Sequence, residues 1–374
     1  MRKALCLIIA FLILVSPCTV YCESVGTSAE ACVLFCVDDG KIYYSKNENK
    51  IMRPASTTKI ITTLLTLEEA QKDNKNVTFT KDMIAEGSSM YLKVGETVTL
   101  RDLAVGLMLC SGNDAANAAA VTIGGSMERF ADIMNIRARK IGMTRTRFVT
   151  PSGLDDENHY TTARDLALLM AVAMKNPEFA RLTAMKTANV RFIKPKNKLT
   201  SYSNHNRLLS LYKYCIGGKT GYTSAAGRCL VSAARRDGLT FVCVTLNDKN
   251  DWQDHMRLYD YGFSRLRMNS LDDSEFCLRV PVIGGEDDCV TVTCSEKSSF
   301  ITGKNDKIII DKKVYAENFL YAPVQKNEVV GKIKYFYKGK LIAVHKLRAV
   351  EENNSLAENK SIIDIIKGML KNAF

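Results

Sequence analysis

Two strand-rich stretches, "ACVLFCVDDGKIYYSK" at residues 31–46 and "GRCLVSAARRDGLTFVCVTLND" at residues 227–248, bracket a long helical region and constrain the fold more than any other feature. The first reads as strand, Asp-Asp-Gly turn, strand. The second is two β-rich runs around Asp237-Gly238, and Asp-Gly favours the two-residue hairpin turn in which both positions need positive φ. From Pro54 to about Ala180 the pattern is mainly helical. That region includes "TLRDLAVGLMLCSGNDAANAAAVTI", "SMERFADIMNIRARKIGM" and "TARDLALLMAVAMKN", the last capped by Thr161 or Thr162. A final helix, "DWQDHMRLYDYGFSRL", closes the region. Strands at both ends with helices between predict an α+β layered domain with one sheet built from the two ends.

After about Asn269 the texture changes. "RVPVIGG", "CVTVTCS", "KIIIDKKVY" and "VVGKIKYFYKGKLIAVHKL" are short alternating strands separated by turn residues, which predicts a small all-β domain over residues 270–350. The main domain is then expected over residues 23–269. The two ends of the chain differ from both. Arg2 and Lys3 precede the uncharged apolar run "ALCLIIAFLILV", which reads as a secretory signal peptide over residues 1–22, too short for a membrane span. At the other end, residues 351–374 read as a polar linker, "VEENNSLAENK", leading into "SIIDIIKGMLKNAF". On a helical wheel the isoleucines, Met369, Leu370 and Phe374 gather on one half, opposite Asp364, Lys367 and Lys371. Such a helix suits the interface of an anionic membrane.

The formal net charge is +12, and loss of Arg2 and Lys3 with the leader lowers it by two. A basic exported chain is drawn to anionic lipids and wall polymers. No Arg/Lys-rich run or nucleic-acid motif appears, so nucleic acid is not an expected partner. Nine of the twelve cysteines lie beyond residue 22, and no C-x-x-C pair suggests zinc. Most sit in apolar runs as small hydrophobes. The sequence leaves open whether Cys289 and Cys294 pair.

The chemistry is concentrated in three short motifs. In "RPASTTKIITTLLTLEEA", Ser56 reads as the N-cap of a helix, and Lys59 falls in the first turn, where the positive end of the helix dipole disfavours a cation. Residues three apart share a helix face, so the amine can reach the Ser56 hydroxyl. Burial, the helix terminus and a second cation would each lower its pKa, and a neutral Lys59 could take the serine proton. Alone, this pattern reads as a capping serine beside a lysine that reaches solvent. It is joined by "CSGND", which gives Ser111, Gly112 and Asn113, and by "GGKTGYT", which gives Lys219, Thr220 and Gly221. These are, in order, the three signatures of penicillin-recognising serine enzymes. Ser111 can relay a proton to a leaving amine. Asn113 can bind substrate backbone and hold Lys59. Lys219 supplies positive charge that keeps Lys59 neutral and attracts a substrate carboxylate, to which Thr220 donates. Gly221 leaves room where a substrate strand passes close to backbone.

On "RPASTTKI", "GSSMYLKVGETVTLRDLAVGLMLCSGNDAANA", "PSGLDDENHYTTARDLA" and "GGKTGYTSAAGRCLVSAARRDGLTFVCV", the chain resembles the D-alanyl-D-alanine carboxypeptidases of the low-molecular-mass penicillin-binding protein type, from about Ala31 to Val350. The family's usual Ser-Met-Thr-Lys stands here as Ser56-Thr57-Thr58-Lys59. The resemblance implies a β-lactamase/transpeptidase-like antiparallel sheet with helices, followed by the β-domain and a C-terminal membrane anchor. It implies an acyl-enzyme on Ser56, an oxyanion held by the backbone N–H groups of Ser56 and Tyr222, a peptidoglycan pentapeptide substrate, and inhibition by β-lactam antibiotics. It implies action at the outer face of the cytoplasmic membrane or in the cell wall, with no metal or other cofactor. His205, in "SNHNRLL" near the pocket, is expected to be merely solvated, and His159 to serve loop structure.

Three other readings share these motifs. A class A β-lactamase needs a Glu-x-x-Leu-Asn loop that is absent and usually carries Ser-Asp-Asn, where this chain has Ser-Gly-Asn. A non-catalytic wall-binding protein has no reason to keep all the motif residues. A peptidoglycan D,D-endopeptidase differs only in the bond it cuts.

Overall fold

The computed structural model describes residues 25–356, so the expected leader and the C-terminal amphipathic helix lie outside the described residues. The chain divides into two compact units. The first comprises the described residues up to Leu34 with Tyr44–Ser232 and Cys243–Tyr261; the second comprises Phe35–Tyr43, Ala233–Val242 and the described residues from Gly262 onward.

In chain order the elements begin with β1 (Ala31–Cys36), β2 (Lys41–Lys46), a 3-10 turn (Ala55–Thr58), α1 (Lys59–Lys72), β3 (Asn76–Thr78), β4 (Thr97–Thr99), α2 (Leu100–Met108) and α3 (Asn113–Gly124). They continue with α4 (Met127–Ile141), α5 (Ala163–Ala173), α6 (Pro177–Thr183), β5 (Thr187–Arg191), β6 (Leu199–Ser203), α7 (Leu208–Leu211), β7 (Cys215–Thr223), β8 (Gly227–Arg236), β9 (Leu239–Leu246) and α8 (Asp251–Arg265). Strands from the two ends of this stretch form one five-stranded sheet, ordered β2-β1-β9-β8-β7. Every residue of β1 and of β9 is buried, which is why these two central strands read as unbroken apolar runs instead of alternating ones. β7 is an edge strand, bonded to β8 on one side only.

α1 is buried almost all round, from Lys59 through Leu67, and packs against α2, α3 and α5. A helix covered on every side needs internal partners for its polar groups. Thr62 accordingly donates to the carbonyl of Pro151 at 2.6 Å, and Thr66 to the carbonyl of Thr62 at 2.7 Å. The run "TLRDLAVGLMLCSGNDAANAAAVTI" is two helices rather than one. Thr99 caps α2 in a capping box with Asp102, the helix ends at Met108, and α3 begins at Asn113. Ser111 in the break has φ 59°, a left-handed backbone that a helix cannot contain. Of the two threonines expected before α5, Thr162 is the cap, accepting from the N–H of Asp165 at 3.1 Å.

The second unit carries β10 (Leu266–Asp272), β11 (Cys277–Ile283), β12 (Cys289–Thr293), β13 (Lys297–Gly303), β14 (Ile310–Ala316), β15 (Leu320–Tyr321), β16 (Val329–Tyr337) and β17 (Lys340–Ala349). β10 pairs with β13, and the other six form a sheet ordered β14-β16-β17-β12-β11-β15. Its core includes Val280, Val290, Val292, Phe300, Ile333 and Leu347. One polar cluster interrupts that core. The carboxylate of Asp273 accepts from His345 Nδ1 at 2.6 Å, from Lys312 Nζ at 2.7 Å and from the Tyr335 hydroxyl, while His345 Nε2 meets Ser298 Oγ at 2.8 Å. Cys294 Sγ lies near Asp273 and His345. All nine cysteines among the described residues are free, so Cys289 and Cys294 are not bridged. No helix of the described residues is long and apolar enough to cross a membrane.

Candidate active site

Ser56 does not cap a helix, contrary to the sequence expectation. It lies inside the 3-10 turn, preceded by Pro54, and α1 begins only at Lys59. The turn is stapled by Thr57, whose N–H and hydroxyl both donate to the Pro54 carbonyl, at 3.2 and 2.7 Å. Ala55 is held at φ 48°, a conformation that costs a non-glycine residue roughly 1–2 kcal/mol. The tight turn leaves the serine hydroxyl unused by the backbone and free for its lysine.

Lys59 is fully buried and its Nζ has three neighbours: Ser56 Oγ at 2.9 Å, Asn113 Oδ1 at 2.6 Å and the Ser152 carbonyl oxygen at 2.7 Å. The Asn113 amide has a determined orientation, because its Nδ2 donates to the carbonyl of Glu86 at 2.7 Å. Its Oδ1 must therefore accept from Lys59, as must the Ser152 carbonyl. A neutral amine has two N–H bonds and one lone pair. Both N–H bonds are committed to pure acceptors, which leaves the lone pair for the Ser56 hydroxyl proton. Burial pushes Lys59 well below the ordinary lysine range, and the nearby Lys219 ammonium pushes it further.

Ser111 and Lys219 form the second pair, with Lys219 Nζ 3.0 Å from Ser111 Oγ and 2.8 Å from the Thr220 carbonyl. Lys219 is also buried, and desolvation lowers it to about 7. Its positive charge is therefore not fixed at neutral pH. Thr220, Gly221 and Tyr222 follow it on edge strand β7 and line a cavity of about 450 Å³ together with Ser56, Ser88, Ser111 and His205. A Cβ on Gly221 would stand 3.0 Å from the Ser56 nitrogen and 3.1 Å from the Pro54 oxygen, so a side chain there would press on the Ser56 turn and displace it by a few tenths of an ångström.

The loop bearing Ser152 is built with the same closeness. Gly153 has φ +83°, and a Cβ on it would fall 1.9 Å from the Ala55 carbonyl oxygen. Behind the loop, buried His159 accepts from the N–H groups of Val149 and Thr150 at Nδ1, both at 3.1 Å. Its Nε2–H is then the donor to Thr58 Oγ1 at 2.9 Å. His159 thus serves loop structure, tying residues 149–150 to the turn that carries Ser56, and burial lowers its pKa to about 4. His205 lies on the cavity wall, lowered by burial and by Lys219. On the other side of α3, Asp114 accepts from the N–H groups of Met90 and Leu92, at 2.8 and 3.0 Å, and fixes the loop that presents Ser88.

All the motif residues named from sequence therefore meet around one cavity and the buried pair of lysines behind it. Sequence reasoning missed the Ser152 carbonyl, which any residue could supply. It also missed Arg228, Asp251 and Trp252, which line the same cavity.

Comparison with known proteins agrees with this geometry. Residues 20–250 match the D-alanyl-D-alanine carboxypeptidase peptidase family, and residues 271–354 match the penicillin-binding protein 5 C-terminal domain. D-alanyl-D-alanine carboxypeptidase DacF of Bacillus subtilis is 30% identical over 87% of this chain and 85% of its own length. DacC of Escherichia coli is 31% identical over 91% of this chain and 89% of its own length. Penicillin-binding protein 5 from Haemophilus influenzae superposes with a TM-score of 0.64 at 26% identity, covering 88% of this chain and 98% of that one. A serine–lysine pair at the start of a buried helix, a Ser-Gly-Asn break and a Lys-Thr-Gly edge strand, matched over these spans, place the chain in the D-alanyl-D-alanine carboxypeptidase family of low-molecular-mass penicillin-binding proteins.

Proposed function

We propose that the chain is a serine-type D-Ala-D-Ala carboxypeptidase that removes the terminal D-alanine of peptidoglycan pentapeptides through an acyl-enzyme on Ser56. The observation that carries this is the geometry of Lys59, whose two acceptor partners leave only its lone pair for the Ser56 proton. Ser56 Oγ attacks the carbonyl of the penultimate D-alanine as its proton passes to Lys59 Nζ. The backbone N–H groups of Ser56 and Tyr222 receive the oxyanion. Ser111, backed by Lys219, delivers a proton to the departing amine and is resupplied with the proton that Lys59 took, which leaves Lys59 neutral as D-alanine departs. Water then attacks the ester as Lys59 accepts its proton, and that proton passes to Ser56 Oγ as the tetrapeptide is released. The free edge of β7 supports docking of the peptide as an added strand.

A β-lactam carries a strained amide that can enter the same cavity and acylate Ser56. On this reading the protein works outside the cytoplasm. Residues 1–22 direct export, and the amphipathic segment ending at Phe374 holds the enzyme against the anionic outer face of the membrane. The expected divisions at residues 269–270 and 350–351 separate the catalytic domain, the β-domain and that anchor.

The test is covalent labelling with a fluorescent penicillin alongside D-alanine release from a purified pentapeptide. Both signals are expected in the wild type, and both are expected to vanish in Ser56→Ala. Release of D-alanine by Ser56→Ala would refute the assignment. Cross-linked dimeric muropeptide, assayed in parallel, separates the endopeptidase from the carboxypeptidase.

A further inference from the structure

The six-stranded sheet of the second unit turns one face to its core and the other outward. Lys312, Tyr335 and His345 point inward, to Asp273. Side chains alternate along a strand, so the adjacent Lys313, Lys334 and Lys346 point outward, as does Lys332, two residues from Lys334. Ring contacts agree with this: Lys313 Nζ lies 5.4 Å over the Phe336 ring, and Lys334 Nζ lies 5.0 Å over that of Tyr315.

The register sets these lysines directly against one another. Lys313 of β14 is opposite Lys334 of β16, and Lys332 of β16 is opposite Lys346 of β17. Directly opposed Cβ atoms stand about 4.5–5.5 Å apart, where like charges destabilise a sheet. A face kept for stability alone would carry an acid in each pair. Asp311 is the one acid in these three strands, and it sits 3.3 Å from Lys313. Lys332, Lys334 and Lys346 have no ion-pair partner among the described residues.

The two pairs join into a line. From Lys313 the charges step across to Lys334, along β16 to Lys332, across to Lys346 and along β17 to Arg348. Each step across is one strand spacing, about 4.8 Å, and each step along is two residues, about 6.6 Å. The result is a staircase of cations that crosses three strands obliquely. The rings of Tyr315 and Phe336 steady two of its lysines. A planar layer of headgroups would be met by charges spread over the face; a narrow line is matched by a polymer. Four of the five cations are lysines, whose ammonium groups meet phosphate oxygens as point charges with no planar fork to align.

We propose that this face of the β-rich unit is a binding surface for a linear polyanion with phosphate groups along its backbone. The polymer lies along the line from Lys313 to Arg348, and its charge relieves the repulsion between the opposed lysines. The inference stands apart from the assignment of Ser56, because every residue in it belongs to the second unit.

The experiment measures binding of the full chain to dye-labelled linear inorganic polyphosphate by fluorescence anisotropy over a series of salt concentrations. The slope of log affinity against log salt reports the phosphates neutralised, at about 0.7 for each on a single strand. Lys332→Gln/Lys334→Gln/Lys346→Gln should make the slope shallower by about two and weaken binding by about 10- to 100-fold at about 50 mM salt. Lys140→Gln/Lys175→Gln/Lys196→Gln removes the same charge from exposed positions of the first unit, and should change the slope by less than half as much. Because the opposed lysines repel, the staircase variant should unfold at the same temperature as the wild type or higher, with penicillin labelling of Ser56 unchanged. A lower midpoint overturns the argument from repulsion. Equal losses in the two triple variants, or a wild type that does not bind polyphosphate, overturn the proposal. A staircase variant that keeps polyphosphate but adheres less than the wild type to phosphatidylglycerol vesicles also overturns it, and makes the face a membrane contact.

Discussion

Lys59 Nζ donates across 2.7 Å to the carbonyl oxygen of Ser152, 93 residues further along the chain. The amine proposed as the base is thereby oriented by a loop whose own position depends on Gly153, the residue that follows. Gly153→Ala would drive a methyl group into the Ala55 carbonyl and force a left-handed backbone on alanine. The expected outcome is a stability loss of about 1–3 kcal/mol and at least a roughly 100-fold slower acylation by penicillin. Urea unfolding and labelling kinetics check the two parts separately.

Lys219 is one of the two causes that keep Lys59 depressed, after burial itself. Lys219→Gln removes a positive charge and should let Lys59 rise towards the ordinary lysine value. A smaller fraction of Lys59 is then neutral at a given pH. The acid limb of the acylation pH profile is expected to move to higher pH by on the order of one unit, besides an overall fall in rate. A profile that loses height but keeps its acid limb in place would contradict the coupling.

Two buried histidines make stability depend on pH. Burial lowers His159 to about 4 and His255 to about 3. Between those values and the ordinary 6.5, the unfolded chain binds protons that the folded chain does not. Stability therefore falls as pH drops below about 6.5, by up to about 1.4 kcal/mol per pH unit for each histidine. The single tryptophan, Trp252, belongs to the same unit as both histidines and reports its unfolding. His159→Asn should roughly halve the acid slope whatever it does to stability at pH 7.

In the β-rich unit, burial alone would raise the Asp273 carboxyl, but the hydrogen bonds from Lys312, Tyr335 and His345 together hold it below its ordinary value. Its contribution is present above the ordinary carboxylate pKa and is lost as pH falls through the lower folded value. Asp273→Asn leaves Lys312 and His345 without their acceptor charge. It is expected to destabilise the unit by about 2–4 kcal/mol, seen as a lower thermal midpoint.

Much of this architecture was legible in the residues themselves. The Asp237-Gly238 turn and the apolar runs of β1 and β9 mark strands whatever surrounds them, because local backbone preference and burial agree there. The start of α1 was misread, because the four-residue 3-10 turn is too short for its three-residue period to be told from that of an α-helix. The split between α2 and α3 was hidden by continuous helical periodicity, and only the left-handed Ser111 breaks it. At the site, the three motifs named the side chains that meet. The partners they missed are backbone carbonyls, at Ser152 and Glu86, which have no residue signature. Arg228 was missed for another reason: Asp251 and Trp252, which hold it at the cavity, are brought beside it only by folding.

The central claim is that Lys59 is uncharged beside Ser56 in the resting enzyme. Its most direct test is an NMR titration of lysine side chains labelled with carbon-13 at Cε, with the Lys59 signal identified by its loss in Lys59→Arg. The account predicts a signal already in its neutral position at pH 7. A Lys59 that stays protonated until pH approaches the ordinary lysine value of about 10.4 would contradict it.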